Sequence, residues 1–301
     1  MFSKKTCIVI AGPTAVGKTS LATELAKHFS TEIISADSRQ CYKELNIGVA
    51  KPSPEELTAV PHHFIDYLSV TQEFSAADYE TYALKKLDEL FSSKDVVIVC
   101  GGTGLYLKAL TTGLDTIPQV PENIRIIIRN KADQEGILWA QEILVKKDPV
   151  FAATESFYNT NRVLRALEVF EATGTPISDF QKSSVATRAF DMIQICLDLP
   201  REQLYERINS RVDEMIENGL VEEATLLLPY RNLNALNTVG YKELFSYLDK
   251  ETSLETAIDL IKQHTRQYAK RQKTWFSKVD DMHLSKPDLS EIISFLKTRS
   301  T

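Results

Sequence analysis

The sequence predicts an α/β fold whose core is a mainly parallel β-sheet. One pattern predicts this core, and a second predicts an insertion into it. Apolar runs typical of buried strands alternate with amphipathic helical segments over much of the chain, as they do in βαβ units. One long stretch, residues 118–188, contains helical patterns only. We interpret it as a helical insertion domain between the two parts of the core, residues 1–117 and 189–301.

Each core element follows from a local pattern. Short apolar runs bounded by polar residues are typical of buried strands. A helix is expected after the first run because Leu21, Leu25 and Phe29 recur on one helical stripe, and a second is expected over Ser75–Phe91. The predicted strands are Cys7–Ala11, Glu32–Ala36, Asp95–Cys100 and Met192–Leu199.

The composition of the chain excludes several classes of protein. The 301 residues are 43% hydrophobic and 25% charged, which is ordinary for a globular domain. No apolar run is long enough to cross a bilayer, so no membrane partner is expected. The residues before the first strand leave no room for a cleaved signal, and the four cysteines have no metal-ligand spacing. We therefore expect a protein of the reducing cytoplasm.

The most specific motif directly follows the first strand. Residues 12–19 fit the P-loop pattern G-x-x-x-x-G-K-[ST] at every fixed position. In such loops, backbone N–H groups at a helix N-terminus bind phosphate oxygens, and the helix dipole favours the anion. Lys18 would add a positive charge, and Thr19 a hydroxyl ligand for Mg²⁺. The predicted di- or triphosphate site consists of Gly12, Pro13, Thr14, Ala15, Val16, Gly17, Lys18 and Thr19.

Three polar turns are expected to meet at one edge of the sheet. The P-loop follows the first strand, Asp37–Gln40 the second and Gly101–Gly104 the third. Because ligands bind beyond the carboxyl ends of parallel strands, this edge is the predicted active site. Three roles are open for Asp37: support of the magnesium ligands, general base, or cap of a turn. The glycines of the third turn indicate either a close ligand or simply a tight turn.

Two basic segments have two interpretations each. Arg162 and Arg165 share one helical face, which either contacts a partner or is a solvated face paired with Glu168. Residues 262–278 contain six Lys or Arg and no acidic residue, although the net charge of the chain is −6. The aromatic residues within this run suit single-stranded nucleic acid, where bases stack and phosphates pair with cations. An amphipathic helix with a basic face is the alternative.

In this order, the segments resemble the tRNA dimethylallyltransferase (tRNA isopentenyltransferase) family, in its bacterial type. The resemblance runs nearly end to end, and its specificity comes from eight segments in the family's order rather than from any one of them. No Cys/His cluster like the zinc finger of eukaryotic members is present. The matching segments are residues 12–19, 37–42, 47–52, 61–63, 101–106, 161–169, 239–243 and 269–276.

The resemblance implies a P-loop kinase-like core and an insertion that grips the anticodon stem-loop. Members of this family transfer a dimethylallyl group from its diphosphate to N6 of the adenosine at tRNA position 37 and release diphosphate. The expected partners are therefore tRNA and dimethylallyl diphosphate, the expected cofactor is Mg²⁺, and a monomer is expected.

The resemblance also implies roles for single residues. Asp37 would accept or orient the N6 proton, Thr103 would lie near the diphosphate or the adenine, and Arg125 matches an arginine near the diphosphate. The residues implied to contact tRNA are Asp37, Ser38, Arg39, Gln40, Thr103, Arg125, Asn161, Arg162, Val163, Leu164, Arg165, Lys270 and Arg271.

The sequence departs from the family pattern at a few positions. Asn161 stands where many members have Gln, and Lys242 replaces a frequent arginine. A small-molecule or nucleoside kinase that uses the same P-loop for ATP is the main alternative function. Transfer to free AMP, ADP or ATP, or RNA binding without catalysis, are further alternatives. The helical insertion argues against transfer to free nucleotides, and the intact Lys18, Thr19 and Asp37 argue against RNA binding without catalysis.

Overall fold

The computed structural model describes residues 4–181 and 185–299. The chain divides into two compact units: a core unit, residues 1–111 with 187–301, and a helical unit, residues 112–186. The sequence pattern predicts an insertion over residues 118–188, so the two sets of limits differ by a few residues at each end.

The core unit contains the expected parallel sheet. Within the described residues it has six strands in the order β3-β2-β4-β1-β5-β6, and every neighbouring pair is parallel. The four predicted strands are present as β1, β2, β4 and β5. The two others are too short to give a readable apolar alternation. The strands are β1 Thr6–Ala11, β2 Ile33–Ser35, β3 His62–His63, β4 Val96–Cys100, β5 Asp191–Leu197 and β6 Met282–Ser285.

Helices cover both faces of this sheet, as shown by alternate residues of β1, which belong to different hydrophobic clusters. Cys7 and Val9 pack in the cluster that contains Tyr79 of α3, whereas Ile8 and Ile10 pack in the cluster of α1. Strands buried on both faces read as continuous apolar runs. The core helices are α1 Lys18–His28, α2 Pro54–Ala59, α3 Ala76–Phe91, α4 Gly104–Thr112, α10 Arg201–Glu217, α11 Leu220–Leu227, α12 Tyr241–Leu248, α13 Leu254–Phe276 and α14 Leu289–Arg299.

Arg188 explains why the core unit resumes before the predicted limit. Its guanidinium donates to the carbonyl oxygens of Leu110 (2.8 Å) and Ala109 (2.7 Å) near the end of α4. It also pairs with the carboxylate of Glu80 at 2.6 Å. A cation that satisfies the last carbonyls of a helix interacts favourably with the helix dipole. Arg188 therefore belongs to the core unit rather than to the insertion.

The helical unit has a hydrophobic core of its own. Val163, Ala166 and Leu167 of α8 are buried there with Leu144 of α6 and Ile128 of α5. Among the described residues of the whole chain, no helix combines the length and apolar character needed to span a bilayer. The helices of this unit are α5 Glu122–Glu135, α6 Leu138–Lys147, α7 Pro149–Ala152, α8 Thr160–Thr173 and α9 Ile177–Phe180.

One buried carboxylate joins two of the short helices of this unit. Asp148 is 1% exposed, and it accepts from the N–H of Phe151 at 2.9 Å and from the N–H of Ser178 at 3.1 Å. The first bond caps α7 and the second fixes the start of α9. Removal of this side chain would leave two backbone donors without their acceptor.

Asp148→Ala should therefore destabilise the helical unit by about 1–3 kcal/mol, the cost of buried donors that lose their partners. Hydrogen–deuterium exchange of peptides from residues 112–186 measures this loss as faster exchange. Asp133→Ala on the exposed surface of α5 is the control and should change exchange by less than about 0.5 kcal/mol. Equal exchange in the two variants would contradict the assigned role.

Candidate active site

Three turns after neighbouring strands form the wall of one large cavity, as predicted. The N–H of Gly101 donates to the carbonyl oxygen of Ile10 (3.1 Å), and the N–H of Ala36 donates to that of Cys100 (2.7 Å). These bonds hold the ends of β1, β4 and β2 side by side. The cavity has a volume of about 1470 Å³, and its lining residues all belong to the core unit.

At two positions of the P-loop the backbone has a conformation that favours glycine. Gly12 has φ +143°, and a Cβ there would lie 2.7 Å from the carbonyl oxygen of Leu197 in β5. Gly17 has φ +103° and forms the N-cap of α1. Ala15 also has a positive φ, +63°, which costs a non-glycine residue conformational energy. This loop leads directly into the N-terminus of an eleven-residue helix, the geometry that binds phosphate.

Lys18 of the P-loop and Arg211 of α10 bring two cations to the wall of the cavity. The Nζ of Lys18 folds back and donates to the carbonyl oxygen of Pro13 at 2.7 Å. Burial lowers the pKa of Lys18, the nearby carboxylate of Asp37 opposes that shift, and Arg211 adds to it. Burial also lowers the pKa of Arg211, which nevertheless stays protonated at neutral pH. Both side chains line the cavity.

Asp37 caps a turn and also faces the cavity. Its Oδ1 accepts from the N–H groups of Arg39 (2.8 Å) and Gln40 (3.2 Å). Its Oδ2 accepts no hydrogen bond from the described residues. The turn-capping interpretation of the sequence is therefore correct for one oxygen, and the second oxygen is available for chemistry. The residue is partly exposed and lines the cavity with the P-loop.

Thr103 lies behind this turn. Its hydroxyl accepts from the N–H of Ser38 at 3.0 Å and donates to the hydroxyl of Ser38 at 3.3 Å. Its own N–H donates to the carbonyl oxygen of Ala36 at 3.2 Å. Thr103 therefore fixes the backbone that carries Asp37, and it is not among the residues that line the cavity.

A loop of residues 46–51 forms the wall next to Gln40. The Nε2 of Gln40 donates to the carbonyl oxygens of Ala50 (2.9 Å) and Val49 (3.3 Å). Lys51 donates to the carbonyl oxygen of Tyr42 at 2.8 Å and pairs with Asp66. The predicted RNA-contacting amide of Gln40 is thus part of the scaffold of the site.

Glu223 of α11 holds the same loop from the other side. Its carboxylate accepts from three successive N–H groups, those of Asn46 (3.2 Å), Ile47 (2.8 Å) and Gly48 (3.0 Å). It also accepts from the hydroxyl of Tyr241 at 2.7 Å. Burial, reinforced by Glu223, raises the pKa of Tyr241, so this hydroxyl stays a donor at neutral pH. Four donors thus converge on one carboxylate.

Helix α13 closes the cavity with one of its faces. The buried residue Gln272 and the more exposed residues His264, Tyr268 and Arg271 line the cavity from this helix. The Nδ1 of His264 lies 2.5 Å from the carboxylate of the buried Glu243. The helix therefore belongs to the site and is not simply a basic surface.

The basic run on this helix divides into two groups. Lys262 pairs with Asp213 (2.6 Å), Lys273 pairs with Asp198 (2.7 Å), and Arg266 donates to Asn209 (2.6 Å). These side chains fasten α13 to its neighbours. Lys270 and Arg271 are exposed and have no carboxylate partner among the described residues. Only part of the run is therefore available to bind an anionic partner.

The remaining predicted site residues lie in the helical unit. Arg125 is on α5, with its Nη1 3.3 Å from the carboxylate of Glu122. Arg165 is half-buried, pairs with Glu168 at 3.8 Å, and has a pKa lowered by burial. Arg162 is exposed and donates to the hydroxyl of Ser156 at 2.9 Å.

The predicted RNA-contact segment of α8 has an exposed and a buried side. Asn161 and Arg162 are exposed. Val163 and Leu164 are 0% and 5% exposed and pack in the core of the helical unit. The side chains of Val163 and Leu164 therefore support the helix rather than form its surface.

Arg211 and Gln272 are among the residues of this site that were not predicted from the sequence. Arg211 occurs in an amphipathic helical pattern, where a single arginine is typical of the solvated face. Gln272 lies inside the segment 269–276 that resembles the family, but no local pattern indicates its contacts.

The four cysteines are buried, and burial raises the pKa of Cys7, Cys41 and Cys100 to about 12. Thiol chemistry is therefore not a feature of this site at neutral pH.

Comparison with protein families and curated sequences finds relatives over most of the chain. The family model described as IPP transferase matches residues 40–279. A tRNA dimethylallyltransferase of Christiangramia forsetii is 51% identical over 271 residues, which cover 90% of both chains. A tRNA dimethylallyltransferase of Cytophaga hutchinsonii is 46% identical over 299 residues, which cover 99% of this chain and 98% of the relative.

Solved structures share the fold over nearly the whole chain. The tRNA isopentenylpyrophosphate transferase of Bacillus halodurans matches with a TM-score of 0.72 at 36% identity, and the match covers 99% of this chain and 97% of that one. A eukaryotic dimethylallyltransferase that acts on tRNA matches with a TM-score of 0.80 at 30% identity and covers 99% of this chain and 78% of that one. The predicted α/β fold is confirmed.

The Glu223 cluster predicts a measurable loss of stability. Glu223→Gln replaces one acceptor oxygen with an NH₂ group that faces backbone donors or the hydroxyl of Tyr241. We expect the free energy of unfolding of the core unit to fall by about 1–3 kcal/mol. Urea unfolding measures this change. Glu222→Gln, an exposed neighbour in the same helical turn, is the control, and an equal effect of both substitutions would contradict the cluster.

Proposed function

The chain belongs to the IPP transferase family, and we propose that it transfers a dimethylallyl group from dimethylallyl diphosphate to N6 of the adenosine at position 37 of tRNA. The observation that carries this proposal is that the P-loop with Lys18, the cation of Arg211 and the carboxylate of Asp37 line the same cavity. The enzyme would act in the cytoplasm, where tRNA is found.

The P-loop side of the cavity suits the diphosphate of the donor. Pro13 has no N–H, and the N–H of Thr14 is bound to Gln272 at 2.8 Å, so the donors for phosphate begin at Ala15. These N–H groups, the dipole of α1, Lys18 and Arg211 would stabilise the charge that develops on the leaving group. A diphosphate would also replace the carbonyl of Pro13 as the partner of Lys18.

The P-loop also fits a magnesium ion. Thr19 begins α1 directly after Lys18, is partly exposed and lines the cavity. No group of three or more His, Cys, Asp or Glu side chains able to hold a metal occurs among residues 4–181 and 185–299. A hydroxyl together with substrate phosphates is the ligand set that Mg²⁺ takes in such loops. When bound, Mg²⁺ supplies neutralisation of the diphosphate charge.

The opposite side of the cavity suits the acceptor base. N6 of the adenosine would attack the allylic carbon that carries the diphosphate, the bond from that carbon to oxygen would break, and the electron pair would leave with the diphosphate. The N6 proton would pass to the Oδ2 of Asp37. The hydroxyl of Thr103 accepts from the N–H of Ser38 and so holds the turn that carries Asp37, which lines the cavity.

The charges that remain exposed suit the RNA. Lys270 and Arg271 in the core unit and Asn161 and Arg162 in the helical unit present polar or cationic side chains to solvent. Phosphate contacts of this kind position a nucleic acid without reading its sequence. Arg39 lines the cavity beside Asp37 and is suited to the nucleotides that flank the target base.

A single assay tests this function against its alternatives. The protein is incubated with dimethylallyl diphosphate, Mg²⁺ and unmodified tRNA that carries an adenosine at position 37, and the tRNA is analysed by mass spectrometry. We expect one added five-carbon group per modified tRNA. Transfer to free AMP, consumption of ATP, or binding of tRNA without transfer would each favour a different function.

Asp37→Asn tests the acid–base role. The amide oxygen preserves the cap of the turn, but the side chain can no longer accept the N6 proton. We expect the transfer rate to fall about 10²–10⁴-fold, while the affinity for tRNA stays within a few-fold. Asp95→Asn, an exposed acid at the amino end of β4, is the control and should retain activity. If tRNA affinity fell as much as the rate, Asp37 would bind substrate rather than act in the chemistry.

Substitution of Lys270 and Arg271 by Ala tests the RNA surface. Loss of two phosphate contacts should weaken tRNA binding and reduce the slope of log affinity against log salt by about 1–2. Filter binding at several salt concentrations measures this slope. The control removes the same charge from the same helix at Lys262 and Lys273, which already pair with carboxylates, and should leave the slope nearly unchanged. An unaltered slope in the first variant would exclude these two residues from the interface.

A further inference from the structure

We infer that Gln272 is a positioning residue for the transfer reaction, because its side-chain amide sets the spacing between the P-loop and the turn that supports Asp37. This inference rests on the proposed function for its kinetic consequence. Its structural part concerns contacts within the core unit and stands independently.

The amide of Gln272 joins two backbone segments that are remote in sequence. Its Oε1 accepts from the N–H of Thr14 in the P-loop at 2.8 Å, and its Nε2 donates to the carbonyl oxygen of Gly102 at 2.9 Å. The residue is 6% exposed. A side chain that accepts at one atom and donates at the other satisfies both groups, and a carboxylate of the same shape satisfies only one.

The glycines of the third turn fit around helix α13. A Cβ at Gly102 would overlap the Nε2 of Gln272, and a Cβ at Gly104 would overlap the indole of Trp275. A Cβ at Gly101 would overlap the backbone of Ala36. The absence of side chains at these three positions therefore lets the helix and strand β2 approach the turn. This explains the glycines without a ligand.

These contacts form a continuous path between the two halves of the proposed chemistry. Gln272 binds the P-loop and Gly102, and the next residue, Thr103, binds the N–H of Ser38. Ser38 follows Asp37 directly. The P-loop and the turn that carries Asp37 are thus connected by a chain of hydrogen bonds in which the side chains of Gln272 and Thr103 are the links. A shift of about 1 Å between reacting groups can cost 10²-fold in rate.

Two substitutions separate positioning from a general loss of structure. Gln272→Glu keeps the bond to Thr14 and places an acceptor against the carbonyl of Gly102, and Gln272→Met keeps the volume and removes both bonds. Gln263→Glu, on the exposed surface of the same helix and outside the cavity lining, is the matched control. All variants are assayed well below their unfolding temperatures, with rates expressed per folded molecule.

We expect kcat for transfer to fall about 10–100-fold in both Gln272 variants, with KM for tRNA and for dimethylallyl diphosphate within about threefold of the parent protein. The control should keep the parent kcat. A purely structural role would lower the unfolding temperature and leave kcat per folded molecule unchanged, and that result would overturn the inference. An inactive parent protein would refute the proposed function instead.

Hydrogen–deuterium exchange tests the structural part without activity. In Gln272→Met, peptides that cover residues 12–19 and residues 101–104 should both exchange faster than in the parent protein, although they are far apart in the sequence. Gln263→Glu should leave both unchanged. If exchange rose only in α13, Gln272 would not link the two segments, and the inference would be wrong.

Discussion

The site depends on the partial burial of two cations that line one cavity, Lys18 at the start of α1 and Arg211 of α10. Lys18 and Arg211 both have pKa values lowered by burial, so the protein holds their charges at a cost in hydration. The carboxylate of Asp37 opposes the lowering of the Lys18 pKa, and its Oδ1 caps a turn rather than pairing with either cation. An anion with several charges would complete this arrangement, since it accepts from the loop and from both cations at once.

Because the strands of the sheet are parallel, the predicted anion site lies at the same edge as the other candidate reacting groups. β4 pairs with both β1 and β2, so the segments after all three strands emerge at the same edge. The first segment contributes the anion site and the second contributes a carboxylate. The third segment contributes only Gly101 to the cavity wall, and it contributes no reacting group. The hydroxyl of Thr103 in this segment binds the N–H of Ser38 and so supports the turn that carries Asp37. The carbonyl of Gly102 accepts from Gln272 of α13, a helix from a distant part of the chain.

The sequence predicted the parts of the fold that depend on local patterns. β1, the P-loop and α1 were predicted because apolar runs, glycines and helical periodicity each have one local cause. The Glu223 cluster was not predicted, because its three acceptor bonds reach residues 46–48 from α11 and no spacing in the sequence marks them. The same holds for Gln272, whose partner Thr14 is 258 positions away.

The basic run near the C-terminus shows a different limit of prediction. Charge patterning alone does not distinguish a cation that binds a carboxylate of its own chain from one that is exposed for a partner. Lys262 and Lys273 are of the first kind, and Lys270 and Arg271 are of the second.

A crystal structure of the protein with Mg²⁺ and the unreactive analogue dimethylallyl S-thiolodiphosphate would show directly whether the P-loop and Asp37 lie on opposite sides of the reacting carbon. We expect the diphosphate to contact the N–H groups of residues 15–19 and the side chains of Lys18 and Arg211, with the allyl group directed toward Asp37. A diphosphate bound away from the P-loop, or an allyl group directed away from Asp37, would contradict this expectation.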